Sequence, residues 1–315
     1  MTIGGYVHDA LLYGSDQELL SDAVAFVRAG VDAGETTMVV CTEPTSALLR
    51  AALDGDPRVV FSTGSEVYRR TPQTILAFQQ LLEREVAAGA PRVRVVGEVV
   101  FGEHPASWSE WARYEAVINR AVAPYPVWGV CLYDTRRLPG QVLAAAQLTH
   151  PYLRTVGSRA ANPRYLDPGE FLRRFPDAGP DPVEATRPVL EVDDLTGLWR
   201  LRQRLLHVAL AGSALASETI GEFVAAVSEA ATNAMQHGRP PVRVRAWATP
   251  TRLLCTVTDQ GAGIEDPFAG YVPAHSDPAR DGRGLWLARM LCDHITFRRT
   301  PEGFTVRLAT GAHPS

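Results

Sequence analysis

Glu229, Asn233 and His237 recur at four-residue intervals in the stretch SEAATNAMQHG, residues 228 to 238. An α-helix advances about 100° per residue, so these three polar side chains fall on one edge of an alanine-rich helix. His237, last before Gly238, is placed to finish that helix. Downstream, TVTDQGAGI sets Asp259 at the end of an apolar strand, with Gly261 and Gly263 just beyond it. A carboxylate leaving a strand for a pocket accepts a hydrogen bond from an exocyclic amine such as that of adenine, and glycines there permit close backbone approach. In DGRGLWLARML, Gly282 and Gly284 flank Arg283 ahead of Leu285 and a helix. Free amides and the helix dipole at such a start favour phosphate. In this order the three segments outline a nucleotide pocket.

The elements that must position these groups divide the chain in two. Residues 194 to 211 and 217 to 236 read as helices, VRVRAWA (242 to 248) and RLLCTVTD (252 to 259) as strands, 284 to 293 as a helix, and HITFRRT and GFTVRLA as strands. Helices collected on one side of a mixed or antiparallel sheet make an α+β two-layer sandwich. Before them, TTMVVC (36 to 41), RVVFS (58 to 62), RVRVVGE (92 to 98) and VWGVCLYD (127 to 134) alternate with helical patterns, which predicts an α/β parallel sheet covered on both faces. Residues 156 to 190, dense in proline, read as a linker between domains at 1 to 155 and 191 to 315.

Residues 190 to 310 resemble the GHKL (Bergerat-type) ATPase and kinase superfamily, with SEAATNAMQHG, DQGAG and GRGL matching its N, G1 and G2 boxes. Within it, the anti-sigma factor serine/threonine kinases are the most similar group. The resemblance implies ATP and Mg²⁺ as cofactors, with Asn233 holding the ion, Glu229 as general base, and Asp259 reading adenine with help from Thr305. The physics agrees: Mg²⁺ keeps much of its water and takes few protein oxygens, and phosphoryl transfer needs positioning and charge neutralisation more than covalent chemistry. The implied partners are an anti-sigma factor antagonist of the STAS type and a sigma factor. Trp286 departs from the pattern, standing where many relatives have glycine, and the segment between the G1 and G2 boxes is short.

The same residues serve an ATP-gated regulator that binds its partner without transferring phosphate. A sensor histidine kinase would need a phosphoacceptor, and His207 in RLLHVALAGS lacks the acidic residue and proline expected after one.

The N-terminal stretch HDALLYGSDQELLSDAVAFVRAG resembles the start of a RecA-like domain, yet Tyr13-Gly14-Ser15-Asp16 stands where a P-loop carries its lysine. With GEVVFG, YEAVINRA, CLYDTRRLP and THP, residues 6 to 155 resemble the MEDS sensory domain. That likeness implies a degenerate nucleotide fold that senses a small molecule. Ligands of open α/β sheets bind at the carboxyl ends of strands. His8, Tyr13, Cys41, Glu98, Asn119, Cys131, Asp134 and His150 are therefore candidates to line one sensory crevice, with a metal as an alternative occupant.

Composition removes other classes. All 31 basic residues are arginine, so Walker A, Schiff-base and lysine-base chemistry are excluded. A net charge of −4 gives no footprint for nucleic acid. Four scattered cysteines, with no membrane-length apolar run and no leader pattern, lead us to expect a reduced cytoplasmic protein, and a homodimer is open.

Overall fold

The computed structural model describes residues 5–102, 105–175, 181–272 and 283–311. The chain separates into two compact units, Met1–Arg174 and Phe175–Ser315.

In the first unit, β-branched runs form strands and amphipathic stretches between them form helices. The order is β1 (Val7–Tyr13), α1 (Asp16–Asp32), β2 (Thr36–Cys41), α2 (Glu43–Ala52), β3 (Val59–Thr63), the single turn α3 (Gly64–Val67) and α4 (Thr71–Ala87). It continues with β4 (Val93–Gly97), α5 (Pro105–Ala121), β5 (Val127–Asp134), α6 (Gly140–Thr149), β6 (Tyr152–Thr155), β7 (Ser158–Ala161) and α7 (Pro168–Arg174). The strands lie in the order β3-β2-β4-β5-β1-β6-β7. All pairs are parallel except β6 with β7, so the sheet is mixed rather than purely parallel. Residues 158–161 and 168–174, expected within a linker, thus belong to this unit. Proline and glycine around them mask two short elements whose anchors lie far away in sequence.

The helix α7 is anchored by buried Phe171 and Leu172, and the strand pair β6–β7 by charge. Asp9, fully buried on β1, accepts hydrogen bonds from Arg159 Nε (2.7 Å) and Nη2 (3.0 Å), Arg154 Nη1 (3.2 Å) and Trp128 Nε1 (3.0 Å), while Arg154 Nε also reaches Asp22 at 2.7 Å. Removing one side of such a group leaves buried charge uncompensated. We expect Asp9→Ala to lower the stability of this unit by about 3 kcal/mol, read by urea denaturation.

At the start of α1, Ser15 caps the Glu18 amide and the Gly14 amide donates to Glu18 Oε2 at 2.7 Å. The chain's own carboxylate therefore takes the place at this helix start that an anion would use.

In the second unit, β8 (Leu190–Val192), α8 (Leu198–Gly212), α9 (Ser217–His237), β9 (Arg243–Thr249), β10 (Arg252–Asp259), α10 (Arg283–Leu291), β11 (His294–Thr300) and β12 (Gly303–Gly311) follow in turn. The antiparallel sheet runs β11-β12-β10-β9-β8. All three helices pack on one face, and the core joins Leu201, Leu205, Phe223, Val227, Val257 and Leu308. Alanines 226, 230, 231 and 234 let α9 approach its neighbours closely.

The other face is covered by a 3-10 turn at Pro182–Ala185. Val183 packs on Trp247, Leu254 and Ala309. Glu184 pairs with Arg307 (2.7 Å) and Arg298 (3.4 Å), and Asp181 pairs with Arg252 (2.8 Å). The end of the expected linker is thus built onto this sheet.

Candidate functional site

Alanine-rich α9 lies over the sheet and leaves a cavity of about 220 Å³ toward its C-terminal end. Ala230, Asn233, Ala234 and His237 from the helix face Asp259, Gly263, Ile264, Phe304 and Val306 from the sheet side, with Leu285 of α10 closing the wall. Ligand pockets usually run to about 300–1,000 Å³, so this volume suits a flat heteroaromatic base better than a whole nucleotide.

Asp259 ends β10 at the cavity, 5 % exposed. Its Oδ1 accepts from the Gly261 amide at 2.6 Å and the Arg239 amide at 3.3 Å. Both backbone donors use one oxygen, which leaves Oδ2 for a ligand donor. Gly263 has φ +83°, and a Cβ there would meet the Phe304 ring at 2.5 Å. The chain thus turns against the cavity wall in a conformation only glycine takes without strain.

Glu229 and Asn233 are half-buried on α9, one turn apart. The start of α10 comes up against both. A Cβ on Gly284 would lie 2.9 Å from Glu229 Oε2 and 3.4 Å from Asn233 Oδ1. The Asn233 amide nitrogen is buried with no hydrogen-bond partner. A buried amide N–H without a protein partner, beside a helix start, fits an anionic ligand oxygen, and the amide oxygen of the same side chain, next to the Glu229 carboxylate, suits a hydrated cation. Gly282 lies outside the described residues; Arg283 is the first residue of α10 and is exposed.

His237 both ends α9 and lines the cavity. His207 is exposed on α8. Thr305, expected beside Asp259, lies on the outer face of the sheet, where its hydroxyl meets that of Thr258 at 2.9 Å. Side chains alternate along a strand, so Phe304 and Val306 face the cavity instead. The period of two in GFTVRL carried this signal.

In the first unit the eight crevice candidates fall into two groups. Val40 and Cys131 both align with Gly97, so Cys41, next along β2, points to the opposite face. Cys41 and Tyr13 join the core under α1 and α2. Glu98 is bound by the Thr42 amide (2.9 Å) and hydroxyl (2.7 Å), and Asp134 by Arg136 at 2.8 Å. His8, Asn119, Cys131 and His150 instead meet on the α5 and α6 face.

Glu115, absent from the sequence candidates, completes this second group. It sits one turn before Asn119 on α5, at the same four-residue spacing that singled out Glu229 and Asn233. His8 Nε2 is 3.2 Å from Cys131 Sγ and 3.4 Å from Glu115 Oε2, and His150 Nε2 is 3.6 Å from the same oxygen. Burial pushes His8 down to about 4 and His150 to about 3, and raises the Glu115 carboxyl and the Cys131 thiol. Beside them lies a cavity of about 40 Å³, walled by Tyr6, Tyr68, Phe78, Leu82, Tyr114 and Ile118. No helix among the described residues is long and apolar enough to cross a membrane.

Residues 7–151 match the family described as MEDS, the MEthanogen/methylotroph, DcmR Sensory domain, and residues 193–310 match the histidine kinase-like ATPase domain. Two anti-sigma F factors, from Thermoanaerobacter sp. (strain X514) and Thermoanaerobacter pseudethanolicus, are each 29% identical over 99 residues, spanning 29% of this chain and 69% of theirs. The chain therefore carries a MEDS domain followed by an ATPase domain whose two-layer sandwich fits the GHKL fold. That domain type implies ATP binding, usually with Mg²⁺.

Proposed function

We propose that this protein is a cytoplasmic signalling regulator whose second unit binds Mg-ATP and phosphorylates a serine or threonine of a protein partner, under control of a small molecule sensed by the first unit. The observation that carries the kinase reading is the convergence of Glu229, Asn233 and the start of α10 at one edge of a cavity based on Asp259. The similarity to two anti-sigma F factors supports a partner of the anti-sigma antagonist class, with a sigma factor as the competing ligand. We further infer that the first unit is a RecA-like sheet turned from nucleotide binding to sensing, consistent with Glu18 filling its helix start.

Mg-ATP supplies the phosphoryl group and a cation that offsets its charge. Asp259 accepts from the adenine amine. Asn233 would hold the ion, and the amides at the start of α10 would receive phosphate oxygens. Glu229 takes the proton of the partner hydroxyl as the new O–P bond forms and the bond to the β-phosphate oxygen breaks, leaving ADP.

The test is to incubate the full chain with Mg²⁺, γ-labelled ATP and a STAS-type antagonist protein. Acid-stable, alkali-labile label on the antagonist is the expected result; label confined to an acid-labile histidine, or none with ATP bound, overturns the kinase reading. Because a side chain at position 284 would enter the space between Glu229 and Asn233, Gly284→Val should weaken ATP binding roughly tenfold, measured by calorimetric titration.

A further inference from the structure

We infer that His8, Glu115, Cys131 and His150 form a binding site for one divalent transition-metal ion of the zinc class inside the first unit. The inference is independent of the kinase reading. One donor atom from each residue lies within 4.8 Å of the others. The separations are 3.2 Å (His8 Nε2 to Cys131 Sγ), 3.4 Å (His8 Nε2 to Glu115 Oε2), 3.6 Å (His150 Nε2 to Glu115 Oε2) and 3.7 Å (Cys131 Sγ to Glu115 Oε2). Tetrahedral zinc, bound about 2.0 Å from N or O and about 2.3 Å from S, sets neighbouring donors about 3.3–3.7 Å apart.

The surroundings orient both imidazoles for this purpose. Asn119 Nδ2 donates to the Glu115 and Thr149 carbonyls at 2.8 Å each, which leaves Asn119 Oδ1 to accept from His8 Nδ1 at 3.1 Å. His150 Nδ1 donates to the Ala146 carbonyl at 2.9 Å. With both protons held at Nδ1, both Nε2 lone pairs point at the thiol and the carboxylate, the arrangement that second-sphere hydrogen bonds impose on metal-binding histidines.

Without a cation this geometry is poorly satisfied. His150 Nε2 is buried with no hydrogen-bond partner, and its ring lone pair faces a carboxylate oxygen. A divalent ion gives each donor a partner. Its two positive charges also balance one thiolate and one carboxylate, so the buried group carries no net charge. Thiolate and imidazole select zinc-like ions over Mg²⁺ and Ca²⁺, which prefer oxygen. The chemistry is thus different from that of the Asn233 site.

Untagged full-length protein, stripped with a chelator and titrated with Co²⁺, tests the assignment. We expect one equivalent to bind, with the visible absorption of tetrahedral cobalt and a near-ultraviolet thiolate band, and Zn²⁺ to displace it. Cys131→Ser should remove the thiolate band and weaken Co²⁺ binding at least tenfold, roughly as losing ligand support does elsewhere. Cys41→Ser, altering the thiol on the other face of the sheet, should change neither. Asn119→Ala should cost roughly 10–100-fold in affinity by freeing the His8 ring, and provides a second variant if Cys131→Ser does not fold. The assignment is overturned if folded, stripped wild-type protein takes up no stoichiometric Co²⁺, or if the thiolate band survives Cys131→Ser.

Discussion

Glu229→Gln is expected to lower phosphoryl transfer to a partner serine or threonine by about 10²–10⁴-fold, the usual contribution of a positioned general base. ATP affinity should stay within a factor of a few. The amide keeps the shape of the carboxylate but cannot take a proton, and residue 229 lies outside the lining of the base-sized cavity. Glu229 is half-buried and makes no ion pair among the described residues, so stability should hold. Label transfer gives the rate and calorimetry the affinity. If wild type and variant both bind ATP and regulate the partner equally with no transfer in either, the protein is an ATP-gated binding module instead.

Asp259→Asn should weaken ATP about 10–100-fold, because a hydrogen bond to a charged acceptor contributes about 1.5–3 kcal/mol. The carboxylate can only accept. Its Oδ1 already takes the Gly261 and Arg239 amides, and its other oxygen remains for an exocyclic amine. An asparagine can satisfy one set but turns its NH₂ toward the donors of the other. Comparing ATP with a purine nucleotide that lacks the amine separates recognition from collapse: the wild type should discriminate between them, and the variant should do so much less. Equal affinity of wild type and variant for ATP would remove Asp259 from the base contact.

Much of the ATP-binding half was legible because its signals are local. The four-residue spacing of Glu229 and Asn233 needs only helix geometry, and Asp259 at the end of RLLCTVTD needs only a strand and its turn. Thr305 misled for an equally physical reason. It stands next in sequence to the right position, but a strand sends neighbours to opposite faces, and Phe304 took the cavity. Residues 156–190 read as linker because proline density describes local stiffness, whereas Arg159, Val183 and Glu184 find their partners across long separations.

By itself the sequence determined the two-domain order, the exclusion of lysine chemistry and the helix edge that carries Glu229 and Asn233. All of these follow from residue type and from periods of two or 3.6 along the chain. Only the tertiary structure decided which of eight scattered candidates come together, and it added Glu115 to them. His8, Glu115, Cys131 and His150 come from two parallel strands, a helix and a helix end. Their meeting depends on the register of β1 against β5 and on which face of the sheet α5 covers, quantities set by packing between distant segments rather than by any pattern within one.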